Sequence, residues 1–359
     1  MPEEAIQKVV QTLMELGTGA PGLPYLSSDQ YISVGFDKAN FREIGNLMTE
    51  MQGNLTCVDG GNLEILSTPG FSVSVVRIAS VTFKGLERMK NKFPQRVECF
   101  CVVRTIFDTD GKKFHISYFP VKREHADFLP RNYTLTAEPG RMETLWDLNL
   151  KPLSVISNYG RKYAEWFYLN RILDFMEEGD VVLRDGIFQS SDETEAGIAK
   201  EVFAKARNKG VGLIALAKTC SLLTDTGIPV SQVLQSLAEQ WRIEAPWYYF
   251  PIAENLEPEV NADIYFVKFC NSMDYAFRFE VMRETLPEPL SLLSILHIHS
   301  KNHIFPGYPY ILLAADKIAR VEQKEGKPLY LRLLSMLGND KKIQRAIKSL
   351  DAHDLISKY

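Results

Sequence analysis

The sequence has no long apolar run: no stretch approaches the roughly 18 residues that a membrane-spanning helix needs. Its first residues include acids where a secretory signal peptide carries positive charge, and their apolar residues recur at helical spacing. It also has no GxxxxGK[ST] phosphate-binding loop, so any ATP-driven motion would have to come from a partner protein. These absences argue against a membrane protein and against a P-loop ATPase, and they predict a cytoplasmic location.

The chain is also poor in cysteine and has no excess of positive charge. Its 5 cysteines are odd in number, lie in apolar strand-like stretches and form no CxxC pair. This pattern is typical of small buried residues rather than of a disulfide framework or a zinc site. The net charge of −4 does not indicate a polyanion-binding protein, so contact with nucleic acid would need locally positive side chains or a partner.

What is present is the composition of a globular protein with a substantial core, since 45% of the 359 residues are hydrophobic and 24% are charged. The first fifty residues predict helices at about 3–16 and 37–51, and we assign 1–50 to an N-terminal helical extension. Strand patterns begin at residue 55, a helix follows at about 158–177, and strands and helices then alternate up to a final long helix that begins near residue 308. For 51–359 we therefore predict an α/β domain with a ribonuclease H-like mixed sheet flanked by helices.

Two of the apolar strand segments, "LTCVDGG" and "GDVVLRDG", run into an aspartate followed by glycine. Strand alternation places Asp59 and Asp185 on one face of their respective strands, and the carboxyl ends of strands border the ligand crevice of α/β sheets. An Asp-Gly pair can equally be an ordinary turn in which the acid binds nearby backbone. The sequence leaves both interpretations open for each aspartate.

Two helices offer further acids. In "RKYAEWFYLNRIL", Glu165 lies one turn before Leu169 on the apolar stripe, which predicts a carboxylate on the buried edge of the helix. Such a group is costly to bury unless it is paired or coordinates a metal. In "YPYILLAADKIARV", Asp316 has apolar or small helical neighbours, and the alternative to a site role is a local pair with Arg320 one turn later.

Taken together, these acids would concentrate negative charge at one place on the sheet, and a metal ion is the natural counter-charge. Ligands that are all oxygen atoms suit Mg²⁺ or Mn²⁺. Two such ions about 4 Å apart can activate a water molecule and stabilise the leaving oxygen of a phosphodiester. The pattern therefore favours metal-dependent phosphodiester hydrolysis over a serine, histidine and aspartate triad.

Four segments carry a resemblance to a known family: "VDGG" at 58–61, "YAEWFYLNRIL" around Glu165, "GDVVLRDG" at 179–186 and "GYPYILLAADKIARV" at 307–321. In this order and spacing they resemble the NurA nucleases, DNA-end-processing enzymes that work with the HerA hexameric translocase. The resemblance implies a homodimeric ribonuclease H-like nuclease that cleaves DNA with two Mn²⁺ or Mg²⁺ ions.

Carried over position by position, the resemblance makes Asp59 the first-strand metal ligand, Glu165 the helix ligand and Asp185 the second-strand ligand. The family often has histidine where this chain has Asp316, and an aspartate there can still bind a hard cation. Lys218, in "IALAK", corresponds to a lysine near the family site that could hold a phosphate.

The segment "HIHSKNHIF" contains His299 and His303 at the i, i+4 spacing of a helical metal pair. No glutamate completes an HExxH motif and no cysteine stands nearby, which disfavours zinc. We take His303 as a phosphate-contacting or structural residue. Tyr308, in the "GYPY" motif, is a further candidate for substrate binding.

The function predicted is that of a metal-dependent deoxyribonuclease that processes DNA ends with a HerA-type hexameric ATPase. One alternative is a non-catalytic adaptor of a HerA-like ring, although an adaptor has no reason to keep inward carboxylates. Another is a nuclease of the same fold that acts on RNA or on structured junctions. The sequence does not separate these substrates, because the choice depends on groove shape and on contacts to the 2′-hydroxyl.

Overall fold

The computed structural model describes residues 2–15, 20–26, 31–45, 53–109, 111–136, 153–190, 192–255, 262–284, 288–303, 305–338, 343–345 and 347. The helices in these ranges are α1 (Pro2–Glu15), α2 (Leu153–Ile172), α3 (Glu193–Lys209), α4 (Val230–Gln240), α5 (Pro289–His299), α6 (Tyr310–Ala319) and α7 (Gln323–Leu337). The strands are β1 (Tyr31–Ser33), β2 (Phe41–Glu43), β3 (Leu55–Ser67), β4 (Phe71–Lys84), β5 (Glu87–Met89), β6 (Arg96–Asp108), β7 (Gly111–Pro120), β8 (Tyr133–Thr136), β9 (Val181–Asp185), β10 (Gly212–Ala217), β11 (Trp247–Tyr249), β12 (Ala253–Asn255), β13 (Ala262–Lys268) and β14 (Phe277–Met282). None of the described helices has the length and apolar character that crossing a bilayer requires.

One large mixed sheet organises the described residues. Its strands follow the order β2-β11-β13-β14-β10-β9-β3-β4-β6-β7-β8, with β5 attached to β4. β9 is parallel to both of its neighbours, β3 and β10, whereas β4 is antiparallel to both β3 and β6. Three antiparallel strands followed by two parallel ones are the core of the ribonuclease H-like arrangement, so the predicted fold class is confirmed.

Apolar cores cover both faces of this sheet. The side chains of Val58 and Val182 pack with α2 and α3, and those of Cys57 and Leu183 pack with α5 and α6. The central strands are buried on both sides for this reason, and their sequences are rich in valine. A third core lies between α4 and the strands around Trp247.

The predicted final long helix is in fact two helices. α6 ends at Ala319, Arg320 is extended, and α7 begins at Gln323. A capping box between Glu322 and Glu325 starts the second helix. The buried guanidinium of Arg77 in β4 binds the main-chain oxygen of Arg320 and the Glu325 carboxylate, which fixes the break.

The predicted helix at about 37–51 is wrong for its described part. Asp37 caps a single 3₁₀ turn at Lys38–Asn40, and the chain then enters β2, which pairs with β11. The ring of Phe41 lies 5.0 Å from that of Trp247 and 4.8 Å from that of Tyr249. These tertiary aromatic contacts outweigh the helical pattern, and residues 46–52 lie outside the described part.

The amino-terminal segment is thus joined to the rest of the chain by strand pairing, since β1 also pairs with β12. α1 is helical as predicted, and its described side chains are exposed. The domain boundary at residue 50 stays a prediction. The cysteines are free as expected, with Cys57, Cys99 and Cys101 buried.

Candidate metal centre

Two neighbouring parallel strands place Asp59 and Asp185 beside each other. β3 and β9 are paired with Cys57 opposite Leu183 and Val58 opposite Arg184, so the next residue on each strand is an aspartate. Alternation puts both carboxylates on the face that Cys57 and Leu183 share with α5 and α6. Their side chains keep only 13% and 8% of their exposure.

The turn interpretation fails for Asp59 because β3 continues through Gly60 and Gly61 to Ser67, paired with β4 throughout. Asp59 therefore lies inside a strand rather than at its carboxyl end, whereas Asp185 does end β9 and precedes Gly186, which has a φ of 127°. The glycines in β3 allow groups from α2 and α6 to pack closely against the strand. A Cβ at Gly60 would lie 2.1 Å from the Glu165 carboxylate, and one at Gly61 would lie 2.4 Å from the Ala319 carbonyl oxygen.

The third acid comes from α6. Asp59, Asp185 and Asp316 each offer one carboxylate oxygen, and these oxygens all lie within 4.8 Å of one another. The donor set fits a hard divalent cation such as Mg²⁺ or Mn²⁺, because it consists of carboxylate oxygens and includes neither histidine nor cysteine. It is the one such group of three or more acidic, histidine or cysteine residues among the described residues.

Two cationic side chains meet this triad. Lys218 follows β10, and its Nζ atom lies 2.7 Å from Asp185 Oδ2, 2.8 Å from Asp316 Oδ1 and 3.9 Å from Asp59 Oδ2. Arg320 lies 2.9 Å from the other oxygen of Asp316. Asp316 thus forms the local pair with Arg320 that its sequence allows, and it also lies close to Asp59 and Asp185.

Glu165 lies next to the triad but is bound to arginines. Its side chain is 3% exposed, one oxygen pairs with Arg161 one turn earlier on α2, and the other lies 3.4 Å from Arg184 Nη2. Arg161 also donates to the Gly60 carbonyl oxygen at 3.0 Å, so it bridges α2 and β3. Arg161 was missed in the sequence, although its i, i+4 spacing from Glu165 was the available signal.

Arg184 points away from the triad, as strand alternation predicts for the neighbour of Asp185. Its guanidinium stacks on the ring of Trp166, 4.6 Å from the centroid, and lies 3.9 Å from Glu195 Oε1. Trp166 Nε1 donates to the same Glu195 oxygen at 3.0 Å. This buried network holds the Glu165 carboxylate in place from behind the sheet.

The triad opens into a pocket of about 340 Å³. Its lining combines the three aspartates with three cationic side chains and the glycines of β3, and comprises Asp59, Gly60, Gly61, Asn62, Arg161, Asp185, Lys218, Asp316, Ala319, Arg320 and Val321. The close spacing of opposite charges makes the pocket suited to a phosphate group bound beside a cation.

Comparison with known proteins gives structural similarities only. Neither a family model nor a curated protein matches the sequence. The fold is similar to that of the NurA nuclease from Sulfolobus solfataricus, at 12% identity and a TM-score of 0.48 over 94% of this chain and 95% of that one. It is also similar to the catalytic domain of human Endonuclease V, at 10% identity and a TM-score of 0.34 over 89% of this chain and 96% of that one.

A third similar structure is the A. aeolicus Argonaute, at 10% identity and a TM-score of 0.32 over 75% of this chain and 29% of that one. At these identities the similarity concerns the fold alone. The first of the three structures belongs to the family that the sequence motifs resemble.

The remaining candidate site residues differ in how buried they are. Tyr308 is buried, its ring centroid lies 6.0 Å from Lys218 Nζ, and its hydroxyl has no hydrogen-bond partner in the described structure. His303 is exposed and does not line the pocket. His299, by contrast, is buried against Phe83 with its Nε2 3.0 Å from the Gly85 carbonyl oxygen, so the two histidines do not form a metal pair.

Electrostatic effects shift the pKa values of the three aspartates in different directions. Burial and the charge of Asp185 raise the pKa of Asp59 to about 8. Burial also raises the pKa of Asp185, despite its ion pair with Lys218. Burial acts in the same direction on Asp316, but the hydrogen bond and charge of Lys218 outweigh it and lower the pKa of that carboxyl.

These shifts predict how stability depends on pH. The pKa of Asp59 is about 8 in the folded protein and about 3.9 in an unfolded chain, so between these values only the folded protein keeps the proton. The free energy of unfolding in EDTA should therefore fall as pH rises from about 4 to about 8. Asp59→Asn should reduce this fall, as measured by urea denaturation at pH 5 and pH 8.

The control for this measurement is Asp263→Asn, which removes a carboxylate that is paired with Arg283 at 2.8 Å and does not line the pocket. That variant should keep the pH dependence of the wild type. An unchanged slope in Asp59→Asn would contradict the burial of an acid with a raised pKa in the pocket.

Proposed function

We propose that this protein is a nuclease that hydrolyses the phosphodiester bonds of DNA with a divalent metal ion, Mn²⁺ or Mg²⁺. The observation that carries the proposal is the convergence of three carboxylate oxygens within 4.8 Å, contributed by β3, β9 and α6. Partly buried acids so close together repel one another, and a structural role would be better served by apolar side chains. A bound cation gives them a reason to converge.

In this proposal, Asp59, Asp185 and Asp316 hold the ion. When bound, it supplies Lewis-acid chemistry, stabilising the negative charge that develops on the phosphoryl oxygens. Lys218 and Arg320 contact the phosphate of the substrate, because both are charged and line the same pocket as the aspartates. Glu165 was predicted as a further ligand; in the described structure its charge is matched by two arginines.

DNA as the substrate, end processing, the homodimer and the HerA-like ATPase partner come from the motif resemblance and stay predictions. The chain has a net charge of −4, so the pocket cations or a partner must attract the nucleic acid. His303 and Tyr308 as substrate contacts, and a cytoplasmic location, also stay predictions.

The test is cleavage of labelled single-stranded DNA, double-stranded DNA and RNA with Mn²⁺, Mg²⁺ or EDTA. We expect metal-dependent cleavage of DNA. Cleavage confined to RNA would indicate recognition of the 2′-hydroxyl and would replace DNA as the substrate. No cleavage of any substrate, with or without a HerA-type ATPase, together with no metal-induced rise in melting temperature, would favour the non-catalytic adaptor.

A further inference from the structure

We propose that the site binds one divalent ion per chain, with the Lys218 ammonium in the place of the second cation of a two-metal nuclease. This inference rests on the proposed function and concerns how the same site works. It departs from the expectation of two ions that the motif resemblance implies.

The position of Lys218 is the first observation. Its Nζ atom lies 2.7 Å from Asp185 and 2.8 Å from Asp316, and 3.9 Å from Asp59. It therefore contacts two of the three carboxylates that a pair of ions would have to share. Ions of a two-metal site lie about 3.5 to 4 Å apart and need bridging and flanking oxygens on each side. With an ammonium among these oxygens, the triad retains room and ligands for one ion.

The second observation is the state of Glu165, the carboxylate that would complete another metal site. Its two oxygens pair with Arg161 and Arg184, and its side chain is 3% exposed. Arg184 is itself buried between Trp166 and Glu195, so it has no route to solvent if the carboxylate turns away. The arrangement keeps Glu165 as an internal ion-pair partner.

The net charge of the pocket also favours a single divalent ion. The third cation that lines the pocket, Arg161, is paired with Glu165. When all are ionised, the three aspartates against Lys218 and Arg320 leave one net negative charge. One divalent cation turns this into one positive charge, which a single phosphodiester neutralises. A second ion would leave two uncompensated positive charges in a partly buried pocket, which is unfavourable.

The experiment measures Mn²⁺ bound per chain by isothermal titration and by electron paramagnetic resonance of the EDTA-treated, dialysed protein. We expect one Mn²⁺ per chain and no spin-coupled spectrum of an ion pair. Lys218→Met should bind Mn²⁺ at least tenfold more tightly because the competing ammonium is gone, while cleaving DNA more slowly. Lys218→Arg, which keeps the positive charge, should bind one Mn²⁺ with an affinity close to that of the wild type.

Lys317→Met is the matched control, since Lys317 neighbours Asp316 on α6 but is exposed and does not line the pocket. It should bind Mn²⁺ as the wild type does. Two Mn²⁺ per wild-type chain with a coupled spectrum, or unchanged affinity in Lys218→Met, would overturn the single-ion inference while DNA cleavage upheld the nuclease. Absence of both Mn²⁺ binding and cleavage would overturn the two proposals together.

Discussion

Asp185→Asn is expected to reduce metal-dependent DNA cleavage by about a thousandfold or more. The substitution keeps the shape of the side chain but removes the charge that holds the ion. Lewis-acid stabilisation contributes several kcal/mol to such a transition state, and each 1.36 kcal/mol corresponds to about tenfold in rate. Initial rates on labelled DNA at saturating Mn²⁺ measure the effect.

The fold should survive this substitution. Burial raises the pKa of Asp185, so the ionised carboxylate is unfavourable in the absence of metal. We expect the melting temperature of Asp185→Asn in EDTA to equal or exceed that of the wild type, and the rise caused by Mn²⁺ to disappear. Asp263→Asn, which removes an acid outside the pocket, should keep full activity. A folded and fully active Asp185→Asn variant would remove Asp185 from the chemistry.

Gly61→Ala is expected to damage both the fold and the site. The new Cβ would lie 2.4 Å from the Ala319 carbonyl oxygen, a backbone atom at the end of α6. That helix end cannot yield easily, because Arg77 binds the next main-chain oxygen, that of Arg320. Overpacking of this kind costs about 1 to 3 kcal/mol of unfolding free energy. The displaced helix carries Asp316, so the Mn²⁺ concentration for half-maximal cleavage should also rise.

Gly70→Ala is the control for this substitution. Gly70 lies in the turn between β3 and β4, and a Cβ there meets no atom within 4 Å. Its stability and Mn²⁺ requirement should remain those of the wild type, as measured by urea denaturation and by cleavage rates across a Mn²⁺ series. If Gly61→Ala behaves like Gly70→Ala, the close packing of β3 against α6 does not position Asp316.

The sequence was informative where the local spacing of apolar residues determines the structure. Alternation along each apolar strand correctly predicted which face of its own strand Asp59 and Asp185 occupy, and the helical stripe correctly placed Glu165 on a buried edge. The fold class followed from the order of the strands and helices, because antiparallel hairpins and helix crossovers permit few arrangements.

The sequence was less informative where a contact spans a large distance along the chain. Nothing near Glu165 in sequence indicates that Arg184 pairs with it, nor does any local pattern bring Lys218 between Asp185 and Asp316. The break after α6 has the same origin, since it depends on Arg77 in a distant strand. These long-range ion pairs could therefore be identified only from the assembled sheet.

The continuation of β3 beyond Asp59 was missed because Gly60 and Gly61 imitate a turn. Glycine also occurs within strands where another backbone or side chain approaches closely. Here the Glu165 side chain approaches Gly60, and the Ala319 carbonyl oxygen approaches Gly61. Because Gly60 and Gly61 have no side chains, α2 and the end of α6 can pack closely against β3 beside Asp59. This distinction cannot be made from the dipeptide alone.

The most direct measurement is the cleavage rate of a labelled DNA strand as Mn²⁺ is added back to EDTA-treated protein. If Asp59, Asp185 and Asp316 form a catalytic metal centre, cleavage should be absent in EDTA, return with Mn²⁺ and saturate, and fail to return in Asp185→Asn. Cleavage that persists in EDTA, or that returns equally in wild type and Asp185→Asn, would contradict a catalytic metal centre at these three aspartates.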